Sequence, residues 1–341
     1  MSSAFVDACR MKRVDRTPVW FMRQAGRYLP SYRKLRSEKG ILEIAKDPEL
    51  ASDVTVDPVR QLGVDAAVMF ADIMLPLEGV GVKFRIEENL GPVVDNPIRS
   101  KEDVERLGEF DPESHVGNVL RTISLATEKL DGVPLVGFSG APFTLASYLI
   151  EGAPSREFRL TKKMMYSDPE TWKLLESRLT ELVVKYLRAQ IRQGVSAVQL
   201  FDSWVGCLSP ADYSAYVKRY STEIFRGVGK KVPAIHFCAD SSSLLEEFAE
   251  TGCDVLSVDW RVPIETVWER SGGKKGVQGN LDPAAAAAGG RVMEKGVEEI
   301  LRKTSGRRGH VFNLGHGVLR ETPPENLKQI VDVVHRSAGR K

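Results

Sequence analysis

Eight short apolar runs, each followed by a turn and then a helical pattern, restrict the possible folds of this 341-residue chain more than any single motif does. They fall at 19–22, 66–70, 134–138, 197–201, 234–237, 255–258, 276–278 and 311–314. Such alternation reads as strand, crossover helix, strand. The clearest helix is 169–193: Pro169 follows the cap candidate Asp168, Gly194 follows the end, and Trp172, Leu175, Leu179, Leu182, Val183 and Tyr186 recur at helical spacing. Ser209-Pro210, Asp282-Pro283 and Thr322-Pro323 read as further helix starts. No GxGxxG follows the first run, and eight units favour closure over an open doubly wound sheet. The expected architecture is α/β, a single (β/α)8 TIM barrel spanning 1–341 with its active site at the C-terminal ends of the strands. Length alone suggests about two domains, but no linker divides the chain and barrels of this kind commonly run this long. Residues 79–98, with Gly79, Gly81, Gly91, Pro92 and Pro97 among apolar positions, read as a loop or hairpin inserted after the second strand.

The 48 basic and 46 acidic residues nearly cancel, so no basic field covers the whole surface and nucleic acid is not an expected partner. Cys9, Cys207, Cys238 and Cys253 are far apart and form no CxxC pair, which suits reduced thiols. No window approaches a membrane span and no signal-peptide stretch opens the sequence, so the expected location is cytoplasmic, without a membrane partner.

The barrel expectation carries a corollary. Arg23, Asp72, Gly140, Ser203, Asp259, Asn280 and His316 all lie just past the ends of different runs, where barrel active sites are built. The first of these loops is the most basic. Between 23 and 39 the chain carries Arg23, Arg27, Arg33, Lys34, Arg36 and Lys39 against one acid, Glu38. Guanidinium forks match carboxylates in two-point contact, and Gly26 lets backbone approach a ligand, so the ligand expected here is polyanionic.

The run Trp20-Phe21-Met22-Arg23-Gln24-Ala25-Gly26-Arg27-Tyr28-Leu29-Pro30 resembles the N-terminal signature of the uroporphyrinogen decarboxylase family. Six further blocks match it in order: 69–73, 137–145, 199–204, 259–261, 278–283 and 313–317. The resemblance implies a homodimeric enzyme of haem biosynthesis that needs no cofactor and removes CO2 from the four acetates of uroporphyrinogen, giving coproporphyrinogen. It implies that protonating a pyrrole makes the substrate its own electron sink. Asp72 would then stabilise the cationic ring by accepting pyrrole N–H bonds. Arg23, Gln24, Ala25, Gly26, Arg27 and Arg36 would line the carboxylate-binding loop, Gly140, Tyr148, Ser203 and His316 would contact substrate, and Phe138 and Phe201 would face the macrocycle. For those two phenylalanines, strand-end core packing is an equally good account. The proton donor is open among Arg23, Tyr148 and His316, the last with a pKa expected near neutrality. Asp72, Arg23 and Tyr148 are the catalytic candidates. No residue is assigned to a metal.

Ala71 and Ser31 depart from the serine and glutamate that most members of the family carry at those positions. A sharper departure is His236-Phe237-Cys238, which resembles part of the zinc site of related corrinoid:thiol methyltransferase barrels. Strand alternation puts His236 and Cys238 on one face. A zinc-dependent methyltransferase and a non-catalytic tetrapyrrole-binding protein are the alternative readings. Against zinc, the third ligand expected near the last strand is replaced by His316.

Overall fold

The computed structural model describes residues 3–87, 90–240 and 242–337. Its strands are β1 Ala67–Val68, β2 Phe84–Glu87, β3 Gly91–Val94, β4 Leu135–Gly140, β5 Ala197–Asp202, β6 Ala234–Cys238, β7 Val255–Val258, β8 Gly276–Gln278 and β9 His310–Val311. Seven of them pair in the order β1-β4-β5-β6-β7-β8-β9, all parallel, with helices on the connections. β2 and β3 form a separate antiparallel hairpin, Phe84 opposite Val94, within the excursion expected at 79–98. Residues 88 and 89 of that segment lie outside the described residues.

The run at 19–22 is not the full strand expected of it. Val19 alone bridges Phe312. Phe312 N donates to Pro18 O at 2.8 Å and Trp20 N to Phe312 O at 3.3 Å, while on the other side Asp65 N donates to Val19 O at 2.8 Å. The ladder stops there because side chains take the next amides: Phe21 N donates to Gln24 Oε1 at 3.1 Å and Met22 N to Asn313 Oδ1 at 3.2 Å. The hydrogen-bonded sheet therefore counts seven strands plus this bridge.

The sheet is strongly curled. Gln278 on β8 donates from Nε2 to Gln199 Oε1 on β5 at 2.9 Å and to Ser257 Oγ on β7 at 2.9 Å, and accepts from Trp20 Nε1 at 3.0 Å. β5 and β8 are three places apart in the sheet, so these bonds cross its concave interior. All four side chains are buried, and each polar atom in the belt has a partner that offsets its removal from water.

Local signals explain most helices. Asp168 Oδ1 accepts from Thr171 N at 3.2 Å and opens Pro169–Gln193, and Gly194 closes it in the left-handed region at φ 111°. Its apolar stripe, from Trp172 to Ile191, packs on β4 and β5. Ser209 and Asp282 cap the helices that follow them as expected. The third expected start is displaced: the helix begins at Pro324, because Pro324 holds Pro323 extended, at ψ 132°.

Candidate active site

The C-terminal ends of the strands gather most of the residues singled out in the sequence. β1 ends at Val68, Thr55 Oγ1 accepts from Phe70 N at 2.9 Å just beyond, and the chain turns at Asp72. Asp72 is half-buried; its Oδ1 accepts from Met74 N at 2.8 Å, which fixes the carboxyl at the start of a short helical turn. Burial raises its pKa above the usual carboxylate range, opposed by the Met74 amide and by the Arg23 guanidinium. Arg23 also acts on the phenol of Tyr148 and the imidazole of His316, and Asp72 on the phenol of Tyr148. Four predicted residues, three from strand-end loops and Tyr148 from a helix, thus share one electrostatic neighbourhood.

Arg23 adopts a left-handed backbone, φ 59°, which an L residue holds only when its surroundings require it. Its side chain runs across Gly317, where a Cβ would collide with Cδ of the arginine. At Gly315 a Cβ would lie 2.5 Å from Trp260 N. The room that these two glycines leave beside His316 is therefore filled by neighbouring chain.

His316 itself is half-buried, and its Nδ1 accepts from Gly317 N at 2.8 Å, so Nε2 carries the hydrogen of the neutral ring. Burial, then Arg23, pushes its pKa down to about 4. The expected value near neutrality is thereby corrected: the group is neutral at pH 7. Tyr148, on the helix Pro142–Glu151, has its pKa pushed up to about 12 by burial and then by Asp72. Its ring packs edge-on against Trp204 at 5.9 Å.

An aromatic floor underlies these groups. Phe138 meets Phe201 at 5.5 Å, Phe201 meets Phe237 at 5.6 Å, and Phe237 meets the His316 ring at 5.7 Å. Phe201 and Phe237 are direct register partners on β5 and β6. Phe237 was missed in the sequence reading, although its signal was available: the alternation that pairs His236 with Cys238 puts Phe237 on the other face. Ser203 is half-buried immediately after β5.

The basic loop divides into two groups. Arg27 and Arg36 both act on the phenol of Tyr32, whose ring packs on Phe70 at 5.6 Å, and Arg36 Nη1 also donates to Lys39 O. Gln24 turns inward and is fully buried: Oε1 takes Phe21 N, and Nε2 donates to Ala66 O at 3.1 Å. Its backbone is engaged as well, N donating to Phe21 O at 3.1 Å and O accepting from the Tyr28 hydroxyl at 2.6 Å, so the expectation that Gln24 contacts a ligand is corrected: it shapes the loop from within. Ala25 and Gly26 are half-buried beside it. Gly140 is packed, a Cβ there lying 2.7 Å from Leu145 Cδ2 and 3.4 Å from Ile73 Cβ. Asp259 and Asn280 tie the loops together. Asp259 is fully buried and accepts from Asp240 N at 2.6 Å and Arg261 N at 2.9 Å, and Asn280 Nδ2 donates to Asp259 O and Val262 O at 2.8 and 2.7 Å.

His236 and Cys238 do share a face, but it is the one turned to the helices. The His236 ring packs on Phe225 and Phe248 at 5.1 and 4.2 Å, its Nδ1 lies 3.3 Å from Thr251 Oγ1, and its Nε2 lies 3.6 Å from Asp202 Oδ2. Among the described residues no cluster of three or more His, Cys, Asp and Glu side chains is arranged to hold a metal ion.

Comparison with known proteins identifies the family of the chain. Residues 2–337 match the family described as uroporphyrinogen decarboxylase (URO-D). The chain is 50% identical over 337 residues to the uroporphyrinogen decarboxylase of Carboxydothermus hydrogenoformans, covering 98% of this chain and 96% of that one. It is 49% identical over 339 residues to that of Streptomyces coelicolor, covering 99% and 95%. Among solved structures, a methyltransferase from Methanosarcina mazei superposes with a TM-score of 0.80 at 22% identity over 99% of both chains, a likeness of fold. Basic loop, half-buried aspartate and aromatic floor thus stand in a chain that belongs, over nearly its whole length, to the uroporphyrinogen decarboxylase family.

Proposed function

We propose that this protein is a carboxy-lyase that converts uroporphyrinogen III to coproporphyrinogen III by removing CO2 from four acetate side chains in turn. The observation that carries the reading is near-complete alignment at about half identity with curated uroporphyrinogen decarboxylases. The geometry supplies the chemistry. A proton adds to a pyrrole carbon and makes the ring cationic. The bond to the carboxyl carbon then breaks, its electron pair neutralises the ring, CO2 departs, the exocyclic carbon takes a proton to become methyl, and the ring proton is returned.

Asp72 stabilises the cationic ring through its outward oxygen, since Oδ1 is held by Met74 N. Arg23, Arg27 and Arg36 bind carboxylates that are not reacting, because a tight partner for the departing carboxylate would stabilise the ground state more than the transition state. Phe138, Phe201 and Phe237 seat the macrocycle. Tyr148, Ser203, His316, the backbone of 25–26 and Gly140 complete the contacts. Proton delivery falls to Tyr148 or Arg23 acting through water, since His316 is uncharged at neutral pH.

In the same reading the chain is one domain, the 18–20 segment closes the curled sheet into an eight-stranded barrel by bonding both to Phe312 and to Asp65, and the protein is a cytoplasmic homodimer. Incubating it anaerobically with uroporphyrinogen, with no added cofactor, and resolving products by carboxyl number tests the reaction. Seven- to four-carboxyl products are expected, and persistence of the eight-carboxyl substrate under these conditions would refute it.

A further inference from the structure

The ends of the strands opposite the candidate site carry a charge asymmetry that the near-zero net charge conceals. The loops at 10–17, 229–233, 271–275 and 305–309 hold ten basic residues and one acid, in a chain whose totals are 48 and 46. Three of these loops end in the same way: Lys-Lys at 230–231 shortly before β6, Lys-Lys at 274–275 directly before β8, and Arg-Arg at 307–308 just before β9.

The topology joins them into one arc. β6, β7, β8 and β9 are consecutive in the sheet, and the segment after 10–17 bridges Phe312 next to β9. Arg10 Nη2 donates to Lys231 O at 3.0 Å, and Met11 packs against Gly309, so the N-terminal loop lies directly on the loops before β6 and β9. Between them, Asp254 before β7 is already paired with Lys230 at 2.7 Å.

Several of the cations are uncompensated. Arg16 pairs with Asp65, Lys12 with Asp7 and Arg307 with Glu269. The side chains of Arg13, Lys231, Lys274 and Arg308 are exposed and make no ion pair or hydrogen bond among the described residues. None of the large apolar side chains that are exposed lies in these four loops, so the arc attracts by charge, without an anchor to insert.

We infer that this face docks on an anionic lipid bilayer surface. The cations are spread around a rim instead of lining a groove, and no exposed aromatic lies among them, whereas a single-strand nucleic-acid channel combines both features. A rim of cations suits a planar array of negative headgroups. Docked this way, the protein turns its candidate active-site mouth away from the bilayer, so the site stays open to its ligand while the chain is held. The expectation of no membrane partner rested on the absence of a span and of a signal-peptide stretch, neither of which describes the charge of one face.

The test is flotation of the full chain with phosphatidylcholine vesicles, with and without about one-third phosphatidylglycerol, near 0.1 M salt and again near 1 M. Binding is expected only to the anionic vesicles and only at low salt. Each Lys or Arg close to such a surface contributes about five-fold in partitioning. The triple variant Lys231→Gln, Lys274→Gln, Arg308→Gln should therefore bind about a hundred-fold more weakly, and its undiminished decarboxylation of uroporphyrinogen would show that the fold survives. Failure of the wild-type protein to float with anionic vesicles, equal binding by the triple variant, or tighter binding to a DNA duplex than to the vesicles would each overturn the inference.

Discussion

Replacing Asp72 by asparagine isolates charge from shape. Asparagine keeps an oxygen that can accept the Met74 amide, and the Leu75 N to Asp72 O bond at 3.2 Å is made by backbone, so the turn should survive. What disappears is one negative charge beside a ring that becomes positive on the way to losing CO2. A unit charge pair at about 4 Å is worth on the order of 4 kcal/mol at an intermediate dielectric. Asp72 is half-buried and already faces Arg23, so about half of that is a fair lower bound. A loss of about 2 to 4 kcal/mol in the transition state corresponds to roughly 30- to 1000-fold in kcat. KM should move far less, since the substrate ring is neutral before it is protonated. The assay is anaerobic turnover of uroporphyrinogen, with circular dichroism melting as the check on folding. The wild type should also lose activity on acidification, as Asp72 takes up a proton at a pH above the usual carboxylate range, and the variant should lack that limb. A folded D72N enzyme working within about three-fold of wild type would remove the charge-stabilisation argument.

Three further outcomes follow from the packing. Gly140→Ala should lower stability by about 1 to 3 kcal/mol, measured by urea unfolding, because the new methyl meets Leu145 at 2.7 Å; an unchanged midpoint would show that the neighbouring helix gives way freely. Glu176 is fully buried with neither carboxyl oxygen bonded, and burial, then Asp202, raises its pKa well above the ordinary value. It binds a proton more tightly folded than unfolded, so it opposes folding increasingly as pH rises above its unfolded pKa. Glu176→Gln should therefore be more stable than wild type at pH 7, with the gap closing on acidification, and a gap independent of pH would contradict the buried neutral acid. His310 is the opposite case: burial pushes its pKa down to about 4, opposed by the bond between Nε2 and Gly279 O at 3.1 Å. The folded state binds fewer protons than the unfolded chain between about pH 4 and 6.5, so this residue's contribution is lost as pH falls. The stability difference between wild type and His310→Asn should shrink across that window, and a constant difference would refute it.

The sequence showed the strands' places well because buried apolar runs and their punctuation are local signals. β4 to β8 begin and end within two residues of the runs, β9 overlaps the last run only at Val311, and the Asp168-Pro169 start and Gly194 stop were legible from capping chemistry alone. What failed was non-local. The first run became a bridge because Asn313, 291 residues away, takes the amide of Met22. His316 was misjudged for a related reason: its pKa is lowered by burial first and by Arg23 second, and the depth of that burial is set by tertiary packing that no local pattern shows. Gln24 shows the limit of a motif. Its position in a matched block is clear from sequence, but only the structure shows both polar atoms of its side chain turned into the fold. Arg23 and Asp72 were legible from their places just past apolar runs, which a curled sheet carries to one end, whereas Tyr148, inside the helix Pro142–Glu151, was marked only by the family resemblance.

The belt of Trp20, Gln278, Gln199 and Ser257 has a consequence for traffic. Buried and bonded across the concave interior of the sheet, it blocks that interior, so in the proposed reading a flat macrocycle would arrive and depart by the strand-end side. In the proposed reading, four arms would then be presented to the Asp72 carboxylate from that side, either by the disc spinning in place or by its leaving and coming back turned. Partly processed molecules escaping into solution would mark the second route, and their absence the first.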